Sequence, residues 1–179
     1  MSESVASAAR AFAASRRFSA ATRDRWLRLR DDDRNTLLQL AERLRLGENQ
    51  FRDLLDWSEE IAVRDRCSIA AVWARAPMAT ALARDLGRNE MIAAIKSALR
   101  RLRFPQLAAV ETRLAELARR LKLPRGVRIR FPEHLEGDEV SVEMSARSAA
   151  GLRAQADALQ RALSAPEFDE IFRALEHFS

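Results

Sequence analysis

Apolar positions in this chain recur at three and four residues almost throughout, the spacing of amphipathic helices. Leu37, Leu38, Leu40, Ala41 and Leu44 form one stripe, and Gly47 beyond them reads as a helix C-cap. Phe51, Leu54, Leu55, Ile61 and Ala62 form the next, over about 49–65. Ser68 caps a short helix carrying Val72 and Trp73, which ends near Pro77, and another runs from Met78 to Leu86 before Gly87. Ile92, Ile95, Leu99 and Leu102 continue the pattern until Phe104-Pro105 interrupts it. Leu107, Val110, Leu114, Leu117 and Leu121 then repeat over two heptads. That is the spacing of a helix–helix seam, closed either within the chain or between chains.

One stretch departs from this period. Val127, Ile129 and Phe131 alternate with Arg128 and Arg130, and Val140, Val142 and Met144 alternate again beyond a loop holding Pro132 and Gly137. Period two on both sides of a loop predicts a β-hairpin. A lone hairpin has one face to bury and two open edges, so it needs a cover. Ser148 caps a following helix with Leu152, Ala156, Leu159 and Leu163, and Pro166 opens a last one with Phe168, Ile171, Phe172 and Leu175. The expected class is mainly α: a helical N-terminal part followed by a C-terminal helix–β-hairpin–helix (ββα) dimerisation unit. Residues 1–20, rich in Ala, Ser and Arg, are expected to be a flexible basic segment or a weak helix. A helical domain is expected over 21–87, and 88–179 should hold basic helices and the ββα unit, with the boundary at Gly87-Arg88.

Composition agrees with that picture. The chain has 179 residues, 47% hydrophobic, with only five Gly and five Pro, which suits a helix-rich protein with a real core. Its single cysteine, Cys67, permits no internal disulfide. No apolar run approaches a membrane span and no signal-peptide core opens the chain, so a cytoplasmic location is expected. The net charge of +5 is unevenly spread. Residues 84–130 hold thirteen basic and four acidic side chains, whereas 131–179 hold four and ten. Such blocks fit a polyanion-facing middle, or equally the solvated faces of an Arg-rich chain.

Catalytic signatures are missing. The histidines His134 and His177 have no metal-ligand spacing, the glycines stand alone, and no nucleophile elbow is present. Acidic runs such as Asp31-Asp32-Asp33 and Glu59-Glu60 read as solvated or helix-terminal charge. No catalytic residue, metal or cofactor is expected, and the chain is not expected to be an enzyme.

Two constellations remain. Leu40 to Leu55 has the outline of a helix-turn-helix, with Gln50 and Arg52 at the start of the second helix. Gly47, however, lies two positions late with Arg45 in the customary place, and Asp53, Asp56, Glu59 and Glu60 would repel phosphates. A plain helical hairpin is the alternative. The second constellation runs helix, Val127-Arg128-Ile129-Arg130-Phe131, a glycine-bearing loop, Val140-Ser141-Val142-Glu143-Met144, then a Ser-capped, Leu-rich helix.

This order resembles the C-terminal dimerisation domain of ParB-type chromosome and plasmid partition proteins, over about the last third of the chain. The resemblance implies hairpins paired across a two-fold axis into a four-stranded sheet, and non-specific DNA contact through Arg128 and Arg130. It also implies a partner ATPase touched by an N-terminal arginine segment, here Arg16-Arg17. The family's nucleotide-binding domain has no counterpart in 1–90. The edge-strand argument reaches the same homodimer independently. Its interface residues are expected to be Val127, Ile129, Phe131, Val140, Val142, Met144, Leu152 and Leu159. Lys96, Arg100, Arg101, Arg103, Arg119, Arg120, Lys122, Arg128 and Arg130 are the phosphate-contact candidates on double-stranded DNA, which would make the protein nucleoid-associated. The rival reading is a helical protein–protein adaptor that binds through acidic surfaces and Trp57 or Trp73.

Overall fold

The structure, a computed structural model, describes residues 2–176 apart from 133, 134, 136 and 138. His134, His177 and the loop acids Glu133, Glu136 and Asp138 therefore lie outside the described residues. The element order is α1 Ser2–Ser15, α2 Ala20–Leu27, α3 Asp31–Arg43, α4 Glu48–Arg64, α5 Ile69–Trp73, α6 Ala76–Leu82, α7 Arg88–Arg103, α8 Pro105–Arg120, β1 Val127–Arg130, β2 Ser141–Met144, α9 Ala149–Leu163 and α10 Pro166–Glu176. The fold is mainly helical with one hairpin, as the patterning predicts. No helix among the described residues is long and apolar enough to cross a membrane.

The chain forms two compact units, Met1–Arg103 and Phe104–Ser179. The division thus follows α7 instead of falling at Gly87-Arg88. α6 already ends at Leu82, short of the expected Leu86, and Gly87 stands at the start of α7, its O accepting from Met91 N at 2.8 Å; α7 buries Met91, Ile92, Ile95, Ala98 and Leu99 in the first core and belongs with it. At the centre of that core Trp26 and Phe51 meet with ring centroids 4.5 Å apart, and Phe18 lies 5.1 Å from Phe51. Fully burying each such ring contributes about 1.5–3 kcal/mol. Residues 2–15 take the helical alternative, as α1. Ala9 and Ala13 are buried, and their small side chains let α1 lie close against the core, so packing offsets the ordering entropy that composition alone suggested was too costly.

Gly47 is not a C-cap. Its φ is −82°, it precedes α4 as the N-cap, and the left-handed residue after α3 is Arg45, with φ 46°. Leu46 N–H donates to Ala41 O at 3.0 Å, the long bond of a Schellman motif. The same bond runs from Phe18 to Ala13 and from Cys67 to Ala62, each at 2.9 Å, with Arg17 and Arg66 left-handed at φ 56° and 52°. Arginine takes the place usually given to glycine, and the apolar residue that follows is drawn inward.

In the second unit Leu114, Leu117 and Leu121 of the heptad stripe pack with Ala162, Ile171 and Leu175. The seam therefore closes within the chain. In the hairpin Val127 pairs with Met144, Arg128 with Glu143, Ile129 with Val142 and Arg130 with Ser141. One face is thus apolar and the other charged. Gly126 seats the hairpin against α9. Its φ is 93°, and a Cβ there would lie 2.3 Å from Ser145 O and 2.7 Å from Gln155 Nε2. Gln155 Nε2 donates to Ser145 O at 2.9 Å and Arg125 O at 3.0 Å, which ties α9 to the base of the hairpin.

Candidate nucleic-acid interface

The basic candidates divide between the two units, and the structure uses them differently. On α7, Lys96 Nζ sits 2.7 Å from Asp53 and Arg103 Nε 2.8 Å from Glu60, both on α4. The same two cations lie over the faces of the Trp57 ring, 5.9 and 5.8 Å from its centroid. Arg100 and Arg101 are not without partners either. The rest of the α4 acidic row is matched too: Arg25 holds Asp56 and Glu59. Just past the helix, Arg64 and then Arg75 hold the Asp65 carboxyl well below the usual carboxylate range. Lys96 and Arg103 thus fasten α7 to α4, and their charge is matched in part within the unit. Trp57, a contact candidate of the adaptor reading, is the ring they cover.

Other arginines of this unit close helix ends. Arg34, itself buried, donates to Leu27 O at 2.8 Å and Leu29 O at 2.6 Å, at the end of α2. Arg88 donates to Leu44 O at 2.7 Å past α3, Arg43 to Leu82 O at 3.0 Å on α6, and Arg64 to Leu102 O at 2.8 Å on α7. Each supplies charge-assisted bonds to carbonyls that lack intrahelical partners, at the negative end of a helix dipole. Asp31, Asp32 and Asp33 lie in the first turn of α3, as helix-terminal charge should, and Asp33 is also buried and accepts from Ala70 N at 2.8 Å. In the helix-turn-helix candidate, Gln50 bonds Arg88 at 3.0 Å and Arg52 contacts Asn49 at 3.4 Å.

The second unit is arranged otherwise. Residues 119–130 hold six basic side chains and no acidic one. Arg119, Lys122, Arg128 and Arg130 line one open groove of about 630 Å³, together with Ala118, Leu123, Val127 and Ile129. A groove over one sheet face would be lined by alternate strand residues. This one takes four in a row, so it follows the outer edge of β1, facing the C-terminal turn of α8. Arg130 pairs with exposed Glu143 at 2.8 Å. Among the described residues no carboxylate pairs with Arg119, Arg120, Lys122, Arg125 or Arg128. No family model, curated protein or solved structure matches the chain. The site must be read from its own geometry.

The dimerisation candidates also separate. Val127 is buried within its own unit, and Ile129, Phe131 and Val140 pack on the second core. Val142 and Leu152 are instead 37% and 45% exposed, and Met144 and Leu159 half-buried. Across its 15 residues α9 buries only Ala162. Hairpin strand β2 and helix α9 therefore carry the open apolar surface. Among the described residues no group of three or more His, Cys, Asp or Glu side chains forms a metal cluster.

Proposed function

We propose that the protein is a non-enzymatic homodimer that associates with double-stranded DNA through the phosphates, in the manner of partition or nucleoid-organising factors. The observation that carries this reading is the convergence of Arg119, Lys122, Arg128 and Arg130 on one open groove, within a run of twelve residues that holds no acid. Arg119, Lys122 and Arg128, which no carboxylate pairs among the described residues, attract a polyanion and release its counterions. The two-fold contact falls on β2 and α9. Pairing two β1 edges would set arginines against arginines, whereas β2 and α9 present Val142, Met144, Leu152 and Leu159. A dimer doubles the phosphate contacts and so the avidity for one duplex.

Affinity for random duplex DNA across a salt series tests the reading. A steep log–log slope is expected, reduced by about 0.9 for each phosphate contact removed, hence by nearly three per protomer in the triple substitution Arg119→Ala, Lys122→Ala, Arg128→Ala. Absence of binding at low salt overturns it and leaves the adaptor. Sedimentation should give about twice the 20.3 kDa chain mass, and Leu152→Asp should give a folded monomer.

A further inference from the structure

The first unit carries an open cleft of about 330 Å³, unrelated to the basic groove. One wall is α3, which contributes Thr36, Gln39, Leu40 and Arg43 at successive helical turns; the other is α5, with Ala70, Trp73 and its C-cap residue Ala74, and Leu82 of α6 completes the lining. The gap exists because Ala70 and Ala74 are too small to fill it. Its floor is fixed: Trp73 Nε1 donates to buried Ser58 Oγ at 2.9 Å, and Ser58 donates to Leu54 O at 2.6 Å. Arg43 is the single charged residue lining the cleft, and no carboxylate does. Its Nη2 bond to Leu82 O at 3.0 Å orients the guanidinium beside the apolar floor, with further N–H donors to offer.

A preformed, mainly apolar cleft with one oriented cation is the usual build of a small-ligand site, and a planar guanidinium recognises a carboxylate through paired hydrogen bonds. We propose that this cleft binds a small apolar carboxylic acid, its hydrocarbon part on Trp73 and Leu40 and its carboxylate on Arg43. Charge complementarity selects this occupant: an amine would meet Arg43 with like charge, and a neutral chain would leave its donors unused.

Titration of the full chain with octanoate, octanol and octylamine, followed by amide and indole NMR shifts, tests the assignment. Octanoate should move the Trp73 indole and the amides of Gln39, Arg43, Ala70 and Ala74. Arg43→Gln should weaken it about tenfold or more while leaving octanol unchanged. Ala74→Leu, at an exposed position that tolerates the change, should abolish both. The proposal is overturned if millimolar octanoate leaves these signals still, if octylamine or octanol binds as tightly, or if neither substitution affects the octanoate response.

Discussion

The two units spend arginine in opposite ways. In Met1–Arg103, guanidinium groups face inward onto helix ends and acidic rows: Arg34 on α2, Arg88 on α3, Arg43 on α6, Arg64 on α7, and Arg25 and Arg103 on α4. In Phe104–Ser179, the run from Arg119 to Arg130 has one ion pair among the described residues, Arg130 with Glu143, and four of its basic side chains line a groove. Apolar side chains show the reverse contrast. The first unit packs its large cluster about Trp26 and Phe51, while among the described residues five of the six large exposed apolar side chains, Phe104, Val142, Leu152, Leu163 and Phe172, lie in the second. Charge counted along a sequence is therefore a poor guide to binding until the internal partners are subtracted. One unit matches many of its arginines internally, and the other presents basic and apolar surfaces with few partners among the described residues.

The strongest break of this contrast is Phe51→Ala. It empties the middle of the aromatic cluster and should cost the first unit about 3–5 kcal/mol in chemical denaturation. On the proposed reading the DNA salt slope arises in the second unit, and it should not change under conditions where the variant stays folded. Gly126→Ala attacks the second unit instead. A Cβ there meets Ser145 O at 2.3 Å in a backbone of φ 93°, so the hairpin must shift away from α9. A loss of about 2–3 kcal/mol is expected in the second unit's transition, together with the dimer in sedimentation.

A paired substitution sharpens the comparison. Arg34→Leu strips two carbonyls at the end of α2 of their donor and leaves them poorly solvated, for about 2–3 kcal/mol of stability and no change in DNA affinity. Arg128→Leu should change stability by no more than about 0.5 kcal/mol, since the exposed side chain has no internal partner among the described residues, while DNA affinity falls and the salt slope drops by about 0.9. Melting curves and binding isotherms on the same two proteins decide it. Equal effects on both readouts would erase the distinction between the units.

How much of this was legible in the sequence follows the same line. Strand period two and helical period 3.6 were readable because they are local: the hairpin strands, the α8 stripe and the Ser68 and Ser148 caps all appear where their residues predict. Arg128, Arg130, Arg119 and Lys122 were recoverable as a group because they are close in sequence. What failed was long-range. Nothing near Lys96 announces Asp53, and nothing near Arg103 announces Glu60, since each pair joins helices some forty residues apart. The inner role of Ala9 and Ala13 was hidden because alanine alone carries too little apolar area to signal a core helix. The Gly47 reading failed for a subtler reason. Glycine is the usual left-handed residue, but a Schellman turn is set by the apolar residue that follows, and Leu46, buried, placed the turn at Arg45.

That turn yields the smallest and most revealing prediction. Arg45 holds φ 46° with an exposed side chain that makes no hydrogen bond or ion pair among the described residues. Left-handed backbone costs a residue with a Cβ about 1–2 kcal/mol, which glycine does not incur, and glycine's greater unfolded entropy returns part of the difference. Arg45→Gly should therefore stabilise the first unit by up to about 1 kcal/mol, a rise of a few degrees in its melting temperature. DNA affinity should be unchanged apart from a weak, non-specific loss of one distant positive charge. A destabilised variant would mean that the guanidinium complements the α3 dipole more strongly than backbone strain opposes it. A marked fall in the salt slope would place Arg45 at the DNA instead, and with it the turn between α3 and α4, moving part of the interface into the unit where Arg25, Arg34, Arg64 and Arg88 bond its own helices.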